Sequence, residues 1–430
     1  MRGRARKGWR TMAEDLMVLE EARAIVLAHV EATEVEPVSL YRAAGLPAAA
    51  DVATDIDLSP FANSAMDGYA VRSADLASAS PARPASLSVI AHEAAGVVYE
   101  GVVGPGEAVR IMTGAPLPAG ADAVVKYEVV EIVDGDGNEG SLVRFEAPAQ
   151  PGENVREAGL EARAGEVVLH RGEVLSPAGC GLLASAGASE VPVHRAPVVG
   201  ILSIGTELVS PDAVPGRGQI RDANASALMA AVVAAGGEPR FLGIAGDSEE
   251  EIARLMLQAA AACDLVVSSG GASAGDYDFV TELVRREGSV LFDRVSMRPG
   301  KAITFGMIRD TPYLGLSGNP AAACVGFEML ARPALRKMRG YSDDARPVQY
   351  ARTSCDVRKG QARRFYDRAA VSRNAAGELE VTPARSQNSA LLGTLQQANC
   401  LLMVPDGDTG YARGDLVPCV RIDIPEGTVL

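Results

Sequence analysis

The six cysteines, at positions 180, 263, 324, 355, 400 and 419, form no C-x-x-C pair and show no Cys/His ligand spacing. That excludes a disulfide framework and a zinc site of the finger type, and they read as reduced, mostly buried thiols. Long apolar runs are also missing, so no membrane span is expected. The basic opening "MRGRARKGWR" is followed by "TMAEDLMVLEEAR", acids where a signal peptide would carry its apolar region, and a cytoplasmic protein is expected. Positive charge is in deficit: 41 basic against 55 acidic side chains leave a formal charge of -14. Such a balance opposes wrapping a polyphosphate backbone, so nucleic acid is not an expected partner. An anionic ligand would have to be met locally, by a lysine or arginine, a helix N-terminus or a divalent cation.

What is present is length, pattern and punctuation. The 430 residues predict roughly three domains, each burying its own core. Residues 1–11 read as a disordered extension. Helical periodicity runs through Leu16, Leu19, Ala22, Ile25 and Val26. Residues 12–50 with 146–190 are expected to form a mixed connecting domain, and 51–145, with short β-prone runs between Pro, Gly and Asp, a small β-rich domain. Over 191–340, strand-like runs alternate with helical stripes ("PVVGILSIG", "ASALMAAVVAAGG", "DLVVSSGG", "PYLGLSG"), which predicts a doubly wound, mainly parallel α/β sheet covered on both faces. Ser248 and Glu251 supply a capping box to its second helix. Residues 345–430 return to β-like runs and are expected to form a C-terminal β-barrel, with a sandwich as the alternative.

In an open α/β sheet, ligands bind beyond the carboxyl ends of the strands. Four loops there are unusual. Gly205-Thr206-Glu207 leaves a carboxylate at the mouth of the first strand. "SSGGASAGDYD" (268–278) offers Ser269, Gly270, Gly271, Ser273 and Gly275 to an anion, and Asp276 and Asp278 to a hard cation. "RPGK" carries Arg298 and Lys301 on a turn. In "SGNPAAA", Ser317, Gly318 and Asn319 precede a helix opening at Pro320, whose unpaired amides would face the same mouth. Each loop also has a plain reading: Gly-Gly as a tight turn, the acids as helix starters, Arg298 and Lys301 as a solvated turn, and Asp67-Gly68 in "NSAMDGYAV" as a turn. Taken together on one rim, they point to a phosphorylated ligand held with Mg²⁺. No P-loop is present, and a dinucleotide fingerprint is not expected.

"NSAMDGYAVR", "RIMTGAPLP", "GENVREAG", "SIGTEL", "GQIRDAN", "SSGGASAGDYD", "RPGKAITFG" and "GLSGNPAAA" occur in the order of the MoeA and gephyrin E-domain family, and the chain resembles that family from about Met12 to its end. The resemblance implies an elongated molecule with a MogA-like α/β domain and the activity of a molybdopterin molybdenumtransferase. Such an enzyme takes adenylylated molybdopterin and molybdate, releases AMP and leaves molybdenum on the pterin, with Mg²⁺ as cofactor. It also implies a homodimer whose active site lies between subunits, and transient contact with the molybdopterin adenylyltransferase and with molybdoenzyme maturation proteins. Matched position by position, Asp67 and Thr113 correspond to functional residues projecting from the small domain toward the partner's cleft. Glu207, Asp278, Lys301 and Pro320 correspond to functional positions of the α/β domain, with Glu207, Asp276 and Asp278 as candidates to hold Mg²⁺. Three positions depart from the family pattern: Arg298 replaces a lysine, Ser317 a proline and Glu161 an aspartate. Two rivals stand beside this reading: an adenylyltransferase, which would lack the β domains and "NSAMDGYAV", and a non-catalytic pterin binder or scaffold.

Overall fold

The computed structural model describes residues 16–94, 96–246, 248–271 and 279–430. The expected extension at 1–11 and the candidates Ser273, Gly275, Asp276 and Asp278 lie outside the described residues. The chain divides into two compact units, one formed by the residues up to Pro37 with Pro192–Leu430, the other by Val38–Val191.

Helix α1 (Leu19–Ala28) belongs to the first unit. Leu19, Ala22 and Val26 recur at helical spacing and bury against the α/β core rather than against the connecting segment.

The second unit is built on a six-stranded sheet of β1 (Gly68–Val71), β2 (Ala85–Glu93), β3 (Glu107–Ile111), β4 (Ala123–Lys126), β5 (Glu131–Asp134) and β6 (Leu142–Phe145), in the order β4-β1-β3-β2-β6-β5. Only β2 and β3 pair in parallel. The loop "NSAMDGYAV" feeds β1, and most of its polar residues serve the fold. Asn63 and Ser64 are buried and pair with Arg156 and Val155, while the Tyr69 hydroxyl donates to the Gly137 carbonyl. Gly68 is not simply a turn residue, because a Cβ there would sit 2.1 Å from the Val125 oxygen of the neighbouring strand. Gly135, Gly137 and Gly140 do spell G-x-G-x-x-G, but they lie in the connection from β5 to β6 with no helix following, so the string is no dinucleotide site. Helix α2 (Pro177–Ser185) closes the unit, with the Ser176 hydroxyl accepting from Gly179 N.

In the first unit, six strands form the sheet β8-β7-β9-β12-β11-β10: β7 (Val198–Ile204), β8 (Glu238–Ala245), β9 (Leu265–Ser269), β10 (Gly288–Phe292), β11 (Thr304–Ile308) and β12 (Thr311–Leu316). The strands β8, β7, β9 and β12 are parallel, and β11 alone runs against them, so its start lies beside the end of β12. The strands alternate faces. Val199, Ile201, Leu265, Val267, Leu314 and Leu316 meet α1, α3 (Ala223–Ala234) and the helical run from 320 to 338. Leu202, Val266 and Tyr313 meet α4 (Glu249–Ala260) and α5 (Phe279–Glu287). Burial on both faces explains the near-continuous apolar strands. Helix α6 (Pro320–Gly326) passes through a π-helical turn, Phe327–Ala331, into α7 (Arg332–Met338).

Five strands then close a barrel: β13 (Val348–Thr353), β14 (Arg364–Arg373), β15 (Leu379–Pro383), β16 (Cys400–Val404) and β17 (Leu416–Arg421), in the order β14-β15-β13-β17-β16, with β16 returning to β14. Closure satisfies both edges and settles barrel against sandwich. The chain end is locked by a buried cluster in which Glu426 meets Arg332 Nε at 2.5 Å, Arg336 at 3.5 Å and Arg346 at 3.6 Å.

Candidate functional site

The strand ends of the α/β sheet place the candidate loops on one rim. After β7, Glu207 follows Gly205, and the Ile220 amide donates to the Glu207 carbonyl at 2.8 Å, bringing Arg221 and Asp222 to the same mouth. After β9, Gly270 has a φ of +88°, and a Cβ there would lie 2.2 Å from the Ile204 oxygen at the end of β7; only glycine allows this approach. The Gly270 amide donates to the Leu316 carbonyl at the end of β12. The sequence reading did not single out Asn224 or Asp222. The Asn224 amide nitrogen donates to Ser269 Oγ at 2.6 Å and to the Gly318 carbonyl at 2.9 Å, stitching two of the loops together. Because the Gly318 oxygen can only accept, the Asn224 nitrogen is fixed on that side. Asp222 Oδ1 caps α3 by accepting from Ala225 N. Asp222 Oδ2 and Asn224 Oδ1 are buried acceptors without a hydrogen-bond partner among the described residues.

These groups line a cavity of about 1190 Å³ that takes in Glu207, Asp222, Asn224, Ser269, Gly270, Gly271, Ser317, Gly318, Asn319 and Pro320. A second cavity, of about 800 Å³, shares Ala302, Ser317 and Asn319 with it. Among the described residues its charged lining is entirely cationic: Arg298, Lys301, Arg363 and Arg385. The antiparallel β11 explains the meeting, since the "RPGK" turn precedes it at the rim where β12 ends. Met297 and Arg298 pair with Arg364 and Phe365 at the start of β14, which brings Arg363 beside the turn. The Arg298 guanidinium lies over the Phe365 ring, 4.6 Å from its centroid, a contact suited to a planar cation. Nearby Arg364 is neutralised by Glu20 and Asp406, whereas among the described residues Arg298, Lys301, Arg363 and Arg385 enter no ion pair. Burial, and then the charge of Arg298, lowers Arg363 from the ordinary guanidinium value. Burial pushes the neighbouring Asp367 carboxyl up, against the pull of Arg298 and Arg368.

Not every expectation for this rim holds. Asn319 does take the N-cap position of α6 and Pro320 its first turn, but no side-chain cap forms. The helix start is not a row of free amides: the Ala321 amide donates to the Ser389 carbonyl at 2.9 Å, because a loop of the barrel segment covers it. Arg363 and Arg385 escaped sequence reasoning, since nothing local marks them.

In the second unit, Asp67 and Thr113 meet across β1 and β3. Both the Thr113 amide and its hydroxyl donate to Asp67 Oδ1, each at 2.7 Å. These bonds, the amide first, hold the Asp67 carboxyl below its ordinary range, with a small desolvation effect opposing and Arg110 assisting. Both residues are exposed.

A glycine-lined cavity with carboxylate and amide acceptors lies beside a cavity lined by cations that enter no ion pair among the described residues, at the strand ends of a doubly wound α/β sheet. Comparison with known proteins narrows that α/β class. Residues 17–187 match the MoeA N-terminal region (domain I and II), 200–337 a probable molybdopterin binding domain and 350–421 the MoeA C-terminal region (domain IV). The chain is 36% identical over 381 residues to the molybdopterin molybdenumtransferase of Bacillus subtilis, covering 88% of each chain. It is 33% identical over 404 residues to that of Haemophilus influenzae, covering 94% of this chain and 98% of the other. Two structures of the molybdopterin biosynthesis protein MoeA from Pyrococcus horikoshii superpose with TM-scores of 0.82 and 0.80 at 31% and 28% identity, over 95% of this chain and 99% and 100% of theirs. The chain belongs to the MoeA family.

Proposed function

We propose that this protein is a molybdenumtransferase of molybdenum cofactor biosynthesis that takes adenylylated molybdopterin and molybdate, releases AMP and leaves molybdenum on the pterin dithiolene. The observation that carries this reading is the pair of adjoining cavities, one lined by Arg298, Lys301, Arg363 and Arg385 and the other by the glycine loop and Glu207. Four cations without carboxylate partners among the described residues suit a small tetrahedral oxyanion. The Ser269-Gly270-Gly271 backbone, with Ser317 to Asn319, suits a phosphate.

Cleaving a phosphoanhydride is largely a matter of positioning and of neutralising charge on phosphate oxygens. Lys301 and the arginines would hold the oxyanion against the pterin sulfurs, so the protein needs no nucleophilic cysteine. Mg²⁺ fits the donor chemistry of the larger cavity, which Glu207 lines together with Asp222 and Asn224, whose buried oxygens have no hydrogen-bond partner among the described residues. Glu207, Asp276 and Asp278 are proposed to hold it, and when bound it would supply positive charge to the phosphate oxygens. Asp67 and Thr113 are proposed to complete the site from the second subunit of a homodimer.

Purified protein given adenylylated molybdopterin, molybdate and Mg²⁺ is expected to release AMP in step with molybdenum incorporation, both measured by chromatography. Consumption of ATP with formation of adenylylated pterin would assign the adenylyltransferase step instead, and ligand retention without AMP release would make the protein a silent binder.

A further inference from the structure

We propose that Arg368, which lines neither cavity, is the positioning residue of the cationic cavity and fixes the loop that carries Arg385 and Ser386 to Ser389. The inference rests on assigning molybdate to that cavity.

Arg368 sits on β14, where Phe365, Ala369 and Val371 point into the barrel core. The strand period of two therefore turns Arg368 to the outer wall, together with Tyr366. There it is completely buried, the largest side chain among the described residues to be so. The bonds its guanidinium makes all go to one segment: Nε donates to Thr394 Oγ1 at 3.0 Å, and Nη2 donates to the carbonyls of Ser386 and Asn388, each at 3.1 Å, while Nη1 is buried without a hydrogen-bond partner among the described residues. The backbone of the same residue holds the segment too. Its amide donates to Gln387 Oε1 at 3.0 Å, and its carbonyl accepts from Gln387 Nε2 at 2.9 Å and from the Ala384 amide at 2.8 Å.

Residues 384–392 contain no helix or strand, so no ladder dictates their path. Arg368 replaces the ladder by gripping alternate carbonyls, 386 and 388. The next carbonyl, Ser389, then accepts from Ala321 at the start of α6, next to Asn319 and Pro320 on the rim. A continuous set of bonds thus runs from the barrel wall through the cavity loop to the helix that borders both cavities. A residue needed only for barrel stability could be apolar at this position. A buried guanidinium directed at loop carbonyls is needed where the loop's geometry matters.

The test uses the full chain with Arg368→Met and, as a milder second variant, Thr394→Val, which removes the Nε acceptor together with the bond that the Thr394 hydroxyl donates to the Leu391 carbonyl. Molybdate affinity by equilibrium dialysis, AMP affinity, the molybdate KM against kcat for AMP release, and thermal stability are measured on each. For Arg368→Met, the molybdate Kd and KM are expected to rise roughly tenfold or more, as on loss of an outer-shell partner. AMP affinity and kcat at saturating molybdate should stay near wild type. Thr394→Val should shift molybdate in the same direction by less, and it decides the matter if Arg368→Met does not fold. Lower thermal stability with unchanged molybdate affinity would overturn the inference and leave the functional reading standing. Failure of the wild-type protein to bind molybdate at all would overturn both.

Discussion

At the scale of single residues, the site is a problem of charge in an acidic molecule. Lys301 carries a flexible ammonium into a cavity where two of the other cations are held by neighbours, Arg298 by Phe365 and Arg363 by the Met297 carbonyl at 3.2 Å. Replacing Lys301 with alanine removes a charge-assisted hydrogen bond worth about 1.5–3 kcal/mol, so the molybdate KM should rise by roughly ten- to a hundredfold, read from AMP release against molybdate concentration. Asp67 makes a second prediction. Its carboxyl is held low by Thr113, so it stays ionised as pH falls below the ordinary carboxylate range. Thr113→Val removes the hydroxyl donor and raises that value, so the acid limb of the activity profile should move to higher pH. An unmoved limb would show that Asp67 does not control it. Glu207, Arg298, Lys301 and the glycine loop were legible in the sequence because each follows or flanks a recognisable strand. Arg363 and Arg385 were not, because only barrel closure and the pairing of Arg298 with Phe365 bring them to the turn.

At the scale of elements, strand and helix types in the α/β unit followed from apolar periodicity, since burial on both faces leaves a distinct run for each strand. The start of α6 shows the limit of such reading. Asn319 and Pro320 announce a helix, but the loop that occupies its Ala321 amide comes from a segment almost seventy residues later. Polar residues in "NSAMDGYAV" mislead in the opposite sense. Asn63, Ser64 and Tyr69 look functional in a row with Asp67, yet pairing with 155–156 and burial in the sheet account for them. Strand β2 of the same sheet ends in Glu93, buried on the unit's core, and burial raises its carboxyl above the usual range while the Tyr99 amide pulls it back. A carboxyl whose folded value is raised gives its full contribution below the unfolded value and loses it as pH rises through the folded one. Glu93→Gln keeps the shape without the charge, so it should stabilise the protein by about 1 kcal/mol at neutral pH, with the gain fading toward pH 4 in thermal melts.

At the scale of the whole molecule, the proposal that Asp67 of one subunit serves the Lys301 cavity of another makes a prediction that no single chain can satisfy. Asp67→Ala and Lys301→Ala proteins should each be nearly inactive. When they are unfolded and refolded together, half of the dimers would be mixed, each with one intact site, and activity should return to roughly a quarter of wild type. No recovery would place both residues in the same subunit's site. The buried cluster around Glu426 sets a different condition on the molecule. One carboxylate answers three guanidinium groups from α7 and the connection into the barrel. A chain ending before Pro425 would leave Arg332, Arg336 and Arg346 facing one another with Glu328 as the one carboxylate among them in the described residues. The shortened protein should then behave as a sulfate sponge, melting early in chloride buffers and recovering when a divalent anion takes the seat that the missing tail vacated.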